Sequence, residues 1–173
     1  PKDHPEYLAY LDKHGLPPWK VTNLIRGTFP NGKPSIPLAG IYEGPVEGTY
    51  CHFLAELTIQ RLRAYAERRA LTGQPFFLRT DFFGPHLPYF IPREYADMYD
   101  PALVEPTPAM AETFEGKPSV HRSYAQHWAF DTYPWETWRK ITAMYWGYVT
   151  LIDQQIGRVH PGNLDELEYS VMS

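Results

Sequence analysis

The amino-acid sequence predicts an α/β fold in which a mostly parallel sheet is flanked by helices. Apolar residues recur at helical spacing over two long stretches, Thr49–Leu71 and Pro134–Val159. Between them lies the short aromatic run Pro75–Phe83, which is bounded by turn residues on both sides. A buried strand that directly follows a helix is typical of the αβ units of parallel sheets. At 173 residues, the chain is long enough for one ordinary domain with its own core.

The sequence of the first part of the chain predicts one short helix, which is followed by a long irregular stretch. Apolar residues at helical spacing predict a helix over His4–His14, which Gly15 ends. The stretch Leu16–Tyr50 is dense in proline and glycine and has no sustained period. We expect it to be irregular, with short strands only near Val21–Ile25 and Ile36–Ile41. Irregular segments of this length inside compact domains are often functional.

The predicted helix Thr49–Leu71 is amphipathic. Thr49 is suited to cap its amino end, and Gly73 follows its carboxyl end. The arginines between positions 61 and 69 lie mostly off the apolar face, which is typical of a solvated surface. The apolar face is formed by Leu54, Leu57, Thr58, Leu62, Tyr65 and Ala66.

The second half of the chain predicts loops followed by the clearest helix. Prolines are frequent over Gly84–Met110, where only Arg93–Met98 has the pattern of a helical turn, and Glu115–Tyr133 is irregular. Gly147 interrupts the helix Pro134–Val159, and a glycine there commonly lets a neighbouring element approach closely. The apolar seam of this helix consists of Trp135, Trp138, Ile141, Thr142, Tyr145, Val149, Ile152 and Ile156.

Bulk composition excludes several classes of protein. The formal net charge of -4 and the pI of about 6.0 give no basic surface for nucleic acid or an anionic membrane. No apolar run approaches the roughly 20 residues that span a bilayer. The single cysteine, Cys51, excludes an intrachain disulfide and a cysteine-based zinc cluster.

His86 is the strongest candidate functional residue. It follows the predicted strand in a turn that Pro85 and Pro88 flank. In open α/β sheets, ligands bind in the crevice at the carboxyl ends of the strands. An imidazole there is suited to donate to a developing oxyanion or to protonate a leaving oxygen. The alternative is a structural histidine that is hydrogen-bonded within a loop.

Other chemically capable residues carry weaker signals. Cys51 lies at a helix start, where the dipole lowers a thiol pKa, but a half-buried helix residue is the simpler interpretation. Strand alternation puts Arg79 and Asp81 on one side, which favours a structural ion pair. No two histidines have the i, i+4 spacing of a helical metal site, so we expect no metal site wholly within this chain. The weaker histidines are His52, His121, His127 and His160.

Four stretches, taken together and in order, resemble sulfatases of the alkaline phosphatase superfamily. The Gly-Pro-His-x-Pro-Tyr turn and the Val-Thr-Leu-Ile-Asp-x-x-Ile-Gly-Arg stretch are the more specific motifs. The matching order covers most of the chain. The four stretches are His4–Leu16, Pro75–Tyr89, Tyr95–Pro106 and Trp135–Arg158.

This resemblance implies a hydrolase for sulfuric esters with an alkaline-phosphatase-like sandwich. The family nucleophile is a formylglycine made within a Cys/Ser-x-Pro/Ala-x-Arg motif, and a divalent metal, usually calcium, is held by acidic side chains. Lysines and histidines neutralise the sulfate oxygens, which is electrostatic stabilisation of a charged transition state. By resemblance, His86 matches the family histidine that contacts the sulfate group and assists the leaving oxygen.

The chain also departs from the family pattern. Cys51 is followed by His-Phe-Leu-Ala, so it does not match the formylglycine motif. We therefore expect residues 1–173 to be the middle segment of a single sulfatase-like catalytic domain. The nucleophile region, the calcium ligands and the C-terminal region are expected outside it, and the segment alone is expected to be inactive.

Two alternatives stay open, as does the organic half of the substrate. Phosphonate monoesterases and phosphodiesterases share this architecture, and a non-catalytic remnant or binding module is the third hypothesis. The expected ligand is a small-molecule or sugar sulfate ester, whose specificity would come from Leu16–Tyr50 and Ala102–Tyr133. Aromatic residues there that are suited to stack on a ring, or simply to pack, are Trp19, Tyr42, Tyr124 and Trp128.

Overall fold

The computed structural model describes residues 4–159, and these have the predicted α/β character. They form two compact units, one from residues 4–19, 44–85 and 149–159, the other from residues 20–43 and 86–148. His160 lies outside the described residues, and so does Leu164–Leu167, where the sequence could begin another helix. The elements are helix α1 (Pro5–Lys13), strands β1 (Val21–Ile25) and β2 (Ala39–Tyr42), helix α2 (Tyr50–Thr72), strand β3 (Tyr89–Pro92), and helices α3 (Arg93–Ala96), α4 (Ser119–His127) and α5 (Trp135–Val159).

The sheet is small and mixed. Its order is β1-β2-β3, with β1 antiparallel to β2 and β2 parallel to β3. All four residues of the central strand β2 are buried. The predicted parallel arrangement is therefore present in one strand pair of the described chain. The two short strands predicted within Leu16–Tyr50 are confirmed, the second with its start moved to Ala39.

The predicted buried strand Pro75–Phe83 is wrong in this structure. The segment has no strand pairing, and the side chain of Phe77 is 89% exposed. A strand is fixed only when neighbours take its backbone hydrogen bonds and cover its side chains. Within residues 4–159 no strand pairs with this segment. The sheet instead gains β3, which begins at Tyr89 inside the stretch predicted as a proline-rich loop.

The amino-terminal helices form a common core in the first unit. Tyr7 and Leu11 of α1 pack against Phe53 of α2. Thr49 caps α2 by accepting a hydrogen bond from the His52 backbone N–H at 3.3 Å, and Gly73 ends it with φ +70°, as predicted. The buried face differs from the predicted one because packing is concentrated on the first turns. The buried residues of α2 are Cys51, Phe53, Ala55, Thr58 and Ile59.

Gly147 sets the contact face of α5. A Cβ at this position would lie 2.0 Å from the backbone oxygen of Tyr95, so only glycine allows this approach, as predicted. The buried stripe is consequently rotated from the predicted seam, and Val149 and Ile156 are exposed. The buried residues of α5 are Ile141, Ala143, Met144, Gly147, Leu151, Ile152 and Gln155.

The stretch Glu115–Tyr133 is not irregular throughout. It contains α4 and a 3-10 turn at Phe130–Thr132. None of the α4 residues is buried, which explains why no apolar period marked this helix in the sequence. The helical turn predicted at Arg93–Met98 is confirmed as α3. Among the residues described, no helix has both the length and the apolar content needed to cross a membrane.

Candidate functional site

The turn before β3 presents His86 to solvent. The peptide bonds Gly84–Pro85 and Leu87–Pro88 are both cis. The His86 side chain is exposed, and its Nδ1 lies 2.5 Å from the carbonyl oxygen of Leu87. Because a carbonyl oxygen only accepts hydrogen bonds, Nδ1 carries a proton in this contact. Proton transfer to a ligand is therefore assigned to Nε2.

The residues that follow His86 are anchored in the second unit. Leu87 packs against the core cluster of Leu38, Tyr133 and Ile141. The Tyr89 backbone N–H donates to the carbonyl oxygen of Leu38 at 2.8 Å, which begins the parallel pairing of β3 with β2. The exposed histidine is thus followed by Leu87, which is fixed by packing, and by the strand residue Tyr89, which is fixed by hydrogen bonding.

Tyr89 joins two further tyrosines of α5. Its ring centroid lies 5.4 Å from that of Tyr145 and 6.3 Å from that of Tyr148. Burial, and then the neighbouring Tyr145, raise the pKa of Tyr89, so its phenol stays protonated at neutral pH. The aromatic group therefore packs β3 against α5 without adding charge next to the turn.

The strand context predicted for His86 is wrong. The sequence placed the residue after the carboxyl end of a buried strand, whereas it precedes the amino end of β3 and follows an exposed extended segment. The argument from strand ends therefore does not support a function here. A functional role for His86 is instead supported by the exposure of its side chain, by the packing of its neighbour Leu87 and by the proton on Nδ1.

Arg79 and Asp81 form the predicted structural ion pair. Their side chains meet at 2.8 Å and are 74% and 67% exposed. Ion pairs this exposed contribute at most about 1 kcal/mol to stability and commonly much less. The pairing therefore gives no reason to place either residue in a functional site.

Cys51 is a helix residue, as the simpler interpretation predicted, although it is buried rather than half-buried. It is buried, and burial raises the pKa of its thiol even though a hydrogen bond with Thr49 opposes that shift. The position of Cys51 at the start of α2, which would lower the thiol pKa, does not compensate for the rise caused by burial. A thiol of this kind is a poor nucleophile at neutral pH.

The described residues do not fit a metal or a formylglycine. Over residues 4–159, no three His, Cys, Asp or Glu side chains come close enough together to hold a metal ion. The His127 ring packs edge-on against Trp128 at 5.3 Å, and His121 lies in the same helix, α4. Cys51 has neither the surrounding motif nor the exposure of a modified nucleophile.

Of the four aromatic residues considered for ring stacking, Tyr124 is mostly exposed, whereas Trp19 and Trp128 are half-buried and Tyr42 is buried. Tyr42 is fully buried, Trp19 packs beside Tyr7, and Trp128 packs against the core of the second unit. Tyr124 is 62% exposed and borders a cavity of about 370 Å³. The cavity is lined by Phe114, Val120, His121, Tyr124, Ala125 and Phe130.

The structure also contains a polar cluster that the sequence analysis missed. In the first unit, Arg158 of α5 contacts His52 and Glu56 of α2 together with its own neighbour Gln155. The i, i+4 spacing of His52 and Glu56 could have predicted that these two side chains of the cluster lie close together. Arg158 lies 102 residues after Glu56, so sequence spacing gave no sign that it joins them.

Comparison with known proteins agrees with the sequence motifs. No protein-family model matches the chain. A sulfatase of Formosa agariphila is 29% identical over 104 residues, which cover 56% of this chain and 19% of that protein. An arylsulfatase of Clostridium perfringens is 32% identical over 91 residues, which cover 53% of this chain and 19% of that protein. The chain thus spans about a fifth of the length of these relatives, and the two matches support its identification as a segment of the sulfatase family.

Proposed function

We propose that the protein containing this chain is a sulfuric ester hydrolase, and that residues 1–173 are the middle segment of its alkaline-phosphatase-like catalytic domain. The observation that carries the proposal is the similarity of the chain to two named relatives, a sulfatase and an arylsulfatase. The motifs of the His86 turn and of α5, which resemble the same family, support it. The matched share of those relatives supports a segment rather than a whole enzyme. The expected substrate is a small-molecule or sugar sulfate ester.

In this proposal His86 contacts the sulfate group and protonates the leaving oxygen. The Nδ1 contact with Leu87 fixes the imidazole so that Nε2 is the donor in the protonated ring. The sulfuryl group passes to an attacking oxygen supplied from outside the described residues as the S–O bond to the leaving group breaks. Nε2–H transfers its proton to the leaving oxygen, so the departing alcohol or phenol leaves neutral. The exposed position of His86 is compatible with access by a substrate.

Two groups in the proposal lie outside the described residues. Formylglycine would supply the attacking hydroxyl, and calcium would neutralise sulfate charge. Since the described side chains fit neither group, no catalytic step is assigned to them through either one. The part of the chemistry proposed for this chain is the positioning and protonation carried out by His86.

Kinetics of the complete protein test the reaction class. Hydrolysis of 4-nitrophenyl sulfate should exceed that of a matched phenylphosphonate ester in kcat/KM by at least about tenfold, a difference of about 1.4 kcal/mol in transition-state stabilisation. A preference for the phosphonate would replace the proposal with the phosphonate or phosphodiester hydrolase alternative. Absence of turnover with either ester, with and without calcium, would favour the non-catalytic alternative.

A further inference from the structure

A polar cluster in the first unit links the start of α2 to the end of α5. Arg158 Nη1 lies 3.0 Å from His52 Nδ1 and 2.8 Å from Gln155 Oε1, and Nη2 donates to Glu56 Oε1. Gln155 is buried, and His52 is half-buried. Through these contacts one guanidinium joins side chains that are about a hundred residues apart in the chain.

The chemistry of the contact fixes the state of His52. An arginine side chain has N–H donors and no acceptor, so Nδ1 of His52 must present a lone pair to Arg158. The ring proton is then on Nε2, which lies 3.8 Å from Glu56 Oε1. The cluster as observed therefore requires a neutral imidazole.

Protonation of His52 would remove this acceptor and put a second cation beside Arg158. Burial, and then Arg158, lower the pKa of His52 below its ordinary value of 6.5, while Glu56 and Glu47 oppose that shift and His14 adds to it. The titratable and charged groups that face the cluster are Tyr10, His14, Glu47, Cys51, Glu56 and Arg158.

We propose that His52 is an acid-sensitive latch. Its neutral ring holds Arg158, and with it the last turn of α5, against the first turns of α2. Uptake of a proton releases the Arg158 Nη1 contact and loosens that end of the helix. The device is independent of sulfate ester chemistry and of His86.

The pH range follows from the direction of the shift. The unfolded chain takes up the His52 proton more readily than the folded one does, since the folded-state pKa is lowered from 6.5. The contribution of the latch to the free energy of unfolding is therefore full above pH 6.5 and is lost as the pH falls through the lower folded-state pKa of His52. The latch opens only at a pH below the lowered folded-state pKa of His52.

Hydrogen–deuterium exchange on the complete protein tests the latch. After correction for intrinsic exchange, protection of the amides of residues 155–159 should fall about threefold or more once the pH is lowered from 7.5 to below the pH at which the folded-state His52 ring titrates. His52→Asn keeps an acceptor near the Nδ1 position but cannot take up a proton, so its protection should not change with pH. His121→Asn in α4 is the matched control, since His121 does not contribute to the pKa of His52, and it should behave like the wild type. Equal pH dependence in the wild type and His52→Asn would overturn the proposal.

A second measurement does not depend on how well His52→Asn folds. Because Arg158 lowers the pKa of His52, Arg158→Gln should move the NMR titration of the His52 ring to higher pH. Glu56→Gln should move it in the opposite direction, because Glu56 raises that pKa. If neither substitution moves the titration, the contacts do not control the protonation of His52 and the latch is contradicted.

Discussion

Two histidines of this chain occupy opposite chemical environments. His86 lies exposed in a proline-flanked turn, with its Nδ1 against the carbonyl oxygen of its neighbour Leu87. His52 is half-buried and is enclosed by Arg158 and Glu56. The first ring must carry a proton on Nδ1 and the second must not. Exposure makes His86 suited to act on a ligand, whereas enclosure makes His52 suited to hold the structure.

The difference shows how functional and structural histidines can be distinguished by the environment of the ring. A ring whose charged partners already satisfy it contributes to stability and responds to pH through folding. A ring that the backbone holds at one nitrogen, and whose other nitrogen is assigned to proton transfer, contributes to turnover.

The largest expected effect concerns activity. His86→Ala in the complete protein should lower kcat/KM for an aryl sulfate by about 10²- to 10³-fold, the range of a lost general acid, with little change in stability because the side chain is exposed. His52→Ala should do the reverse, changing kcat/KM by less than about threefold and lowering the unfolding free energy by about 1 kcal/mol. The two readouts are steady-state kinetics and urea unfolding. An equal loss of activity in both variants would remove the contrast.

The next effect concerns the close approach of α5 to α3 at Gly147. Gly147→Ala should destabilise the protein by about 2–3 kcal/mol, since the new Cβ would meet the Tyr95 backbone oxygen at 2.0 Å. Gly157→Ala in the same helix is the control, as its Cβ would meet nothing within 4 Å and its helix propensity improves. Thermal unfolding measures both. A Gly147→Ala variant as stable as the Gly157→Ala variant would contradict the close packing of α5 on α3.

A smaller effect is expected from pH. The stability difference between the wild type and His52→Asn should narrow or reverse as the pH falls below 6.5, because the wild type loses the neutral ring that accepts from Arg158. Urea unfolding at pH 7.5 and pH 5.5 measures it. A difference that stays constant over this range would show that His52 does not titrate on folding.

The smallest effect is expected at the exposed ion pair. Arg79→Ala should change the unfolding free energy by less than about 0.5 kcal/mol, because solvent screens a pair this exposed. The aryl sulfate kcat/KM should also stay within about threefold of the wild type. A large loss of activity would instead give Arg79 a role in the site beyond its pairing with Asp81.

Sequence reasoning recovered the features that depend on local chemistry. The ends of α2 followed from Thr49 and Gly73, and the close approach at Gly147 followed from one glycine in a periodic helix. It failed where neighbours decide the outcome. Pro75–Phe83 has the composition of a strand but no strand partner within residues 4–159. The buried stripe of α5 depends on what packs against it.

The candidate site divides in the same way. His86 was found from its turn and from the family motif, both of which are local. Its position before β3 was not, since pairing with β2 selects that strand from a proline-rich stretch. The contact of Arg158 with His52 was also out of reach, because it depends on how α2 and the end of α5 pack.

The dependence on the leaving group tests the central claim, protonation of the leaving oxygen by His86, most directly. The measurement compares kcat/KM of the wild type and His86→Ala for 4-nitrophenyl sulfate and for phenyl sulfate, whose phenolate is the poorer leaving group. If His86 supplies the proton, the loss caused by the substitution should be at least about tenfold greater for phenyl sulfate. Equal losses for the two esters would contradict proton donation and leave His86 only a role in binding the sulfate group.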